Sequence, residues 1–325
     1  MTKLVHLHRY AAKKKSAEVA NIEIAGEGAV IYNGSRYDLR TGQKQGAQTG
    51  FRFTLDGRYL AWDDGALTIH DRNNTVVRAE AKGSISTMLF VGKWLVVSDD
   101  GRKPFLVLDA ATGAALGRIE GQKPDGPVYN PAIFDPQDGR TLWLGEGARL
   151  AQVDIGERRV VREIAAPADH RFFGVAALKT GHVMTIVRRR ALKFDSSADR
   201  LAVFDPSGKM ASIDGTAMSL GRLGSRFLTS DSRNKCFAIY DTKLELEDAV
   251  PMFEPAKDAY SRVLPLPSGR EWVAVGGYGE WDHYGPTELG PQKLEAEVNG
   301  AGRPARPPKR PAAKVASKKS RKSSK

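Results

Sequence analysis

Short apolar runs rich in β-branched and aromatic residues recur along the chain, and polar turn residues separate them. Each run is too short for a helix, so each is predicted to be a β-strand. The seven clearest runs cover residues 29–32, 59–62, 94–97, 141–144, 183–186, 226–229 and 272–275.

A glycine comes one to three residues before each of these runs. Glycine adopts positive φ at no steric cost, which tight hairpin turns require. Successive glycines are 29 to 47 residues apart. They are Gly28, Gly57, Gly92, Gly139, Gly181, Gly224 and Gly269.

A second turn, which begins with Asp, follows one strand later in six of the seven units. An Asp carboxylate accepts hydrogen bonds from backbone amides two or three residues further on and so stabilises a turn. The residues concerned are Asp38, Asp71, Asp109, Asp154, Asp205 and Asp241.

Each unit therefore contains about four strands in roughly 40–45 residues, which is typical of one propeller blade. The units resemble blades of the WD-repeat and YVTN-type β-propeller superfamily over about residues 3–285. The Gly-His dipeptide typical of WD repeats occurs once, at 181–182, and Trp-Asp dipeptides occur at 62–63 and 281–282, neither at the blade-ending position. The resemblance implies an all-β, seven-bladed propeller of four-stranded antiparallel blades.

The N-terminal residues 3–8 largely alternate between polar and apolar side chains, as a half-buried strand does. We expect this strand to complete the last blade and close the ring, and the alternative is a free basic arm. The expected organisation is an N-terminal arm or closing strand at 1–20, the propeller at 21–285, and a disordered linker and tail at 286–325.

The formal net charge of +12 is concentrated at the C-terminal end. Residues 301–325 contain ten basic residues and no acidic one, which leaves the first 300 residues near +2. This segment has prolines, alanines and serines but no aromatic residue, so we expect it to be disordered. We call residues 301–325 the basic tail.

Clustered positive charge on a flexible segment attracts nucleic acid or another polyanion. In the basic tail the candidate residues are Lys309, Arg310, Lys314, Lys318, Lys319, Arg321 and Lys322. A second basic cluster, Arg188, Arg189 and Arg190, begins what looks like an insertion in the fifth unit. The alternatives are a solubilising tail and an ordinary solvated loop.

Signatures of catalysis and cofactor binding are missing from the sequence: there is neither a Walker A loop nor a G-x-S-x-G elbow. No catalytic residue and no cofactor are therefore assigned. Three equivalent loops carry Asp63, Asp99 and Asp231, and the resemblance to propeller lactonases and lyases implies a cation at such a mouth. The alternative is that these acids belong to ordinary hairpin turns.

The favoured function is a non-catalytic scaffold that binds partner proteins, with a basic tail for polyanions. The alternatives are a propeller hydrolase, lactonase or lyase, and a structural subunit of a larger bacterial complex. A single cysteine, Cys236, excludes an internal disulfide, and no signal peptide or membrane span is apparent. We therefore expect a monomeric cytoplasmic propeller, associated with the nucleoid in a bacterium or with the nucleus in a eukaryote.

Overall fold

A computed structural model describes the chain between residues 3 and 289, with gaps. The described residues are 3–10, 22–25, 28–32, 34–47, 50–52, 54, 57–73, 75–81, 83, 85, 87–99, 103–123, 133–136, 138–145, 147–190, 199–215, 217–231, 233–253, 262–276 and 281–289. They all belong to one compact unit, Met1–Pro291. A second unit, Gln292–Lys325, contains none of the described residues.

The described residues form an all-β propeller of seven antiparallel blades. The N-terminal strand is β1 (Leu4–Tyr10). Blade 1 contains β2 (Ile22–Ile24), β3 (Ala29–Tyr32), β4 (Ser35–Asp38) and β5 (Lys44–Ala47). Blade 2 contains β6 (Tyr59–Asp63), β7 (Ala66–His70) and β8 (Val76–Arg78). Blade 3 contains β9 (Thr87–Val91), β10 (Trp94–Ser98), β11 (Leu106–Asp109) and β12 (Ala115–Arg118).

The remaining blades follow in chain order. Blade 4 contains β13 (Ile133–Pro136), β14 (Thr141–Gly145), β15 (Arg149–Asp154) and β16 (Arg159–Ala165). Blade 5 contains β17 (His170–Ala177), β18 (Val183–Arg189), β19 (Arg200–Phe204) and β20 (Met210–Asp214). Blade 6 contains β21 (Leu220–Leu223), β22 (Arg226–Asp231), β23 (Cys236–Tyr240) and β24 (Leu246–Pro251). Blade 7 contains β25 (Arg262–Pro265), β26 (Trp272–Val275), β27 (Trp281–Pro286) and β1.

The first strand of the chain closes the ring. β1 pairs antiparallel with β27, so the N-terminus supplies the outermost strand of the last blade. After β27, a single 3-10 turn at Thr287–Leu289 continues the described chain beyond the expected boundary at residue 285.

Blade 2 differs from the four-stranded expectation. Among the described residues its innermost strand is reduced to one bridge, Phe51 to Leu60. The hydroxyl and the amide of Thr54 both donate to the carbonyl of Arg58, at 3.1 and 2.9 Å. A local turn of this kind competes with the ladder of a regular strand.

The seven predicted glycine turns are confirmed, because each of these glycines has a positive φ, between 57° and 86°. The Asp turns lie at the same end of the blades: the amide of Leu39 donates to the carbonyl of Gly28 at 2.8 Å. We call this end the lower face. The hairpins between second and third strands lie at the opposite end, the upper face.

The hydrophobic core is a series of layers between neighbouring blades. Leu142 of blade 4 packs with Val96 of blade 3, and Phe204 of blade 5 packs with Trp143 of blade 4. Trp281 of blade 7 packs with Val30 of blade 1, so the layers continue across the closure. The rigid ring that results positions loops and strand ends on two faces.

Candidate functional site

The basic cluster at 188–190 lies at the upper end of blade 5. Arg188 and Arg189 are the last residues of β18. Residues 191–195 of the predicted insertion lie outside the described residues. Arg190 follows the strand, and its amide donates to the carbonyl of Asp169. Arg189 and Arg190 are exposed, whereas Arg188 is half-buried.

Arg188 is engaged within its own sheet. Its Nε and Nη2 atoms donate to the two carboxylate oxygens of Asp199, at 2.8 and 2.5 Å. The guanidinium carbon also lies 4.4 Å from the centre of the Phe173 ring, a cation–π distance. The buried carboxylate of Asp199 therefore compensates the charge of Arg188, and the exposed positive charge belongs to its neighbours.

Arg171 is a basic residue that sequence reasoning missed. It is directly opposite Arg188 in the pairing of β17 with β18. Its Nε atom is buried and has no hydrogen-bond partner among the described residues. The sequence separates the two arginines by a whole hairpin, and only the strand register brings them together.

At the upper face, Asp63 is the last residue of β6, and Asp99 comes directly after β10, as the repeat pattern indicated. The hydroxyl of Thr68 donates to Asp63 at 2.6 Å, and His70 lies 3.0 Å from the same oxygen. These hydrogen bonds hold the pKa of Asp63 below its usual value, although burial opposes them. Asp99 forms a two-bond ion pair with Arg118, at 2.8 and 2.7 Å.

Asp231 ends β22 and stabilises the turn that follows it. Its carboxylate accepts hydrogen bonds from the amides of Arg233 and Asn234, at 2.9 and 3.0 Å. Each of the three acids thus has local partners within its own blade. Within the described ranges, no group of three or more His, Cys, Asp or Glu side chains is spaced to hold a metal ion.

A small polar pocket of about 140 Å³ lies between blades 5 and 6. Asp214 lines one side of it, and Asp231, Arg233 and Tyr240 line the other. Burial and the negative charge of Asp231 raise the pKa values of Tyr240 and of the nearby Cys236 thiol. Cys236 therefore stays protonated at neutral pH, and a protonated thiol is a poor nucleophile.

The aromatic and acidic segment near residue 283 belongs to the closing sheet. His6 of β1 lies 2.9 Å from Asp282, and His283 lies 2.9 Å from Glu271. Asp282 and His283 are buried. Partial burial and the imidazoles of His6 and His283 lower the pKa of His8, while Asp282 acts in the opposite direction. This cluster ties the two ends of the ring together.

Trp62 is the most exposed tryptophan that the structure describes, with 49% of its surface accessible. It lies at the upper end of β6, beside the two-residue hairpin of Asp64 and Gly65. Both hairpin residues have positive φ, 49° and 73°, as in a tight type I′ turn. Trp62 therefore projects from a well-defined hairpin.

The seven candidate residues of the basic tail, from Lys309 to Lys322, lie outside the described residues. Their role stays a prediction. Within the described part of the chain, no helix has the length and apolar character needed to cross a lipid bilayer.

No protein-family model matches the sequence, and a search of curated proteins gives no match. Solved structures do match in their fold. The WD40 domain of Neurospora crassa Pan2 superposes with a TM-score of 0.61 at 11% identity, over 87% of this chain and 95% of that one. A chain of the mitotic checkpoint complex gives 0.60 at 11% identity, over 88% and 93%.

A third similar structure is the β-propeller domain of Cps50 (Swd1) from Myceliophteria thermophila. It has a TM-score of 0.57 at 11% identity, over 87% of this chain and 99% of that one. Identities this low show the fold alone. The chain is a seven-bladed β-propeller with structural similarity to WD40 propellers.

Proposed function

We propose that this chain is a non-catalytic propeller scaffold that binds partner proteins, and that its basic tail binds nucleic acid or another polyanion. The exposed Trp62 carries the scaffold part of the proposal. Tryptophan is enriched among the residues that dominate the energy of protein interfaces. An indole held in solvent by a rigid hairpin suits that role.

The surroundings of Trp62 indicate the chemistry of its partner. Phe51 lies with its ring centre 6.3 Å from that of Trp62, so the two rings form a small aromatic surface. Asp63 and Asp64 follow directly in the chain, and both are exposed. A partner segment with Lys or Arg would gain a cation–π contact and opposite charge together.

The basic tail supplies the second part of the proposal. It carries ten positive charges in 25 residues. Binding of such a segment to a polyanion releases counterions, so its affinity falls steeply with salt. Arg189 and Arg190 are exposed on the propeller and carry positive charge of their own.

Affinity capture tests the scaffold part. Purified full-length protein, nuclease-treated throughout, is compared with Trp62→Ala and with Met218→Ala. Met218 is a matched control because it is also 49% exposed but lies in blade 6, next to β21. A partner that Trp62→Ala loses and Met218→Ala retains supports the proposal, and equal retention by both variants contradicts it.

Salt titration tests the tail. Replacing the seven candidate residues of the basic tail by Gln is expected to weaken DNA or RNA binding and to flatten its salt dependence. Unchanged affinity at moderate salt would show that the tail does not tether the propeller.

A further inference from the structure

At the upper end of blade 5, two arginines lie side by side, and one carboxylate among the described residues pairs with one of them. Arg171 and Arg188 are cross-strand partners, so their side chains lie on the same face of the sheet. Directly opposed residues have Cβ atoms about 4.5–5.5 Å apart, and like charges there are destabilising. Asp199 engages Arg188 through two hydrogen bonds.

Arg171 has no such partner. No ion pair or hydrogen bond of its guanidinium occurs among the described residues, and its Nε atom is fully buried. A buried donor without an acceptor is rare in native proteins and calls for a water or an ion at that place. A site that keeps a partly buried, unpaired guanidinium beside another cation is suited to an anion.

We propose that Arg171, whose Nε atom has no acceptor among the described residues, binds a phosphate group at the upper end of blade 5. A planar guanidinium presents two parallel donors that match two phosphate oxygens. The phosphate group belongs either to a nucleic acid backbone or to a small phosphate compound. This inference deepens the polyanion-binding part of the proposed function, but it depends on the propeller and not on the tail.

Calorimetric titration with inorganic pyrophosphate at constant ionic strength tests the site. The full-length chain is compared with Arg171→Gln, Arg171→Lys and Arg200→Gln. Arg200 is a matched control, because it is a half-exposed arginine of the same blade that pairs with Asp214 at 3.2 Å. All variants retain the tail, so any binding of pyrophosphate to the tail is common to them.

We expect Arg171→Gln to weaken pyrophosphate binding at least tenfold and Arg200→Gln to change it less than twofold. Arg171→Lys keeps the charge but loses the two-donor geometry, so it should fall between them. Circular dichroism verifies folding, and Arg171→Lys carries the test if Arg171→Gln does not fold. Equal losses in the Arg171 and Arg200 variants, or wild-type binding no stronger than that of chloride, would overturn the proposal.

Two further ligands identify the source of the phosphate. A ten-nucleotide single-stranded DNA should lose affinity in Arg171→Gln if the site takes a nucleic acid backbone, and should keep it if the site takes a small phosphate compound. A poly-glutamate peptide that binds as tightly as pyrophosphate, and depends equally on Arg171, would show a carboxylate site and contradict the phosphate assignment. If Arg171 does not bind phosphate, the salt titration of the basic tail still tests the proposed function independently.

Discussion

His6 and Asp282 form a contact of 2.9 Å between residues 276 positions apart in the sequence. Asp282 is fully buried, and the guanidinium of Arg9 lies 3.8 Å from the same carboxylate oxygen. Phe253 stacks on the imidazole of His6, with ring centres 4.2 Å apart. The closure of the ring therefore combines backbone pairing with a buried polar contact.

His6→Ala should lower the free energy of unfolding by about 2 kcal/mol, because it removes a hydrogen bond to a buried carboxylate. Urea unfolding at pH 7, followed by tryptophan fluorescence, measures the change. Arg270→Ala is the control in the same blade, since the ion pair of Arg270 with Glu288 is exposed and should contribute less than about 1 kcal/mol. Equal effects of the two variants would mean that the closure contact adds nothing of its own.

Gly92→Ala should destabilise the ring more than Gly208→Ala does. Both glycines have positive φ, 57° and 90°, so both substitutions cost about 1–2 kcal/mol of backbone strain. A Cβ at position 92 would also overlap the carbonyl oxygen of Gly139 in the next blade, whereas a Cβ at position 208 meets no atom within 4 Å. Thermal unfolding of the two variants measures the difference, and identical melting temperatures would contradict this packing of blade 3 against blade 4.

Acidification should weaken blade 7 through Glu271. The hydrogen bond to His283 lowers the pKa of Glu271, although burial opposes it. A carboxylate whose pKa is depressed in the folded state stabilises the protein above its unfolded pKa of about 4.3, and that contribution is lost as the pH falls further. The difference in unfolding free energy between wild type and Glu271→Gln should therefore shrink as the pH falls below about 4.3. A difference that stays constant down to pH 3 would exclude this linkage.

Asp199→Asn should destabilise blade 5 by roughly 3–5 kcal/mol, because it leaves Arg188 without its charged partner in a buried position. The side chain of Asp199 is 1% exposed. Asp214→Asn is the matched control, since Asp214 pairs with Arg200 while its side chain is 94% exposed, and its loss should cost less than about 1 kcal/mol. Chemical unfolding of both variants compares the two pairs, and a small effect of Asp199→Asn would mean that solvent replaces the lost contact.

The turn residues made most of the fold predictable from the sequence. Gly and Asp act locally: the carboxylate of Asp109, for example, accepts hydrogen bonds from the amides of Ala111 and Thr112, both at 2.9 Å. Hydrogen bonds over two or three residues recur from blade to blade, so they are visible in the sequence as a repeated pattern of Gly and Asp. Blade 2 was less predictable, since the described part of its inner segment has one bridge, Phe51 to Leu60, next to a local turn between Thr54 and Arg58.

The candidate site was predictable only in part, because side-chain partners depend on strand register. The insertion predicted from Arg188 onward starts with the last two residues of β18, where Asp199, just before β19, compensates the charge of Arg188. Arg171 gave no signal, because its position opposite Arg188 exists only once β17 and β18 pair. Asp99 likewise could not be matched with Arg118 before the register of blade 3 was known.

The pairing of β1 with β27 also sets the timing of folding during synthesis. A ribosome that adds about 5–20 residues per second needs roughly 14 to 55 s to make the 276 residues between His6 and Asp282. β1 thus leaves the ribosome well before its partner strand β27 has been made. For that interval its edge is exposed to other chains, so newly made protein is most vulnerable to aggregation before the final blade emerges.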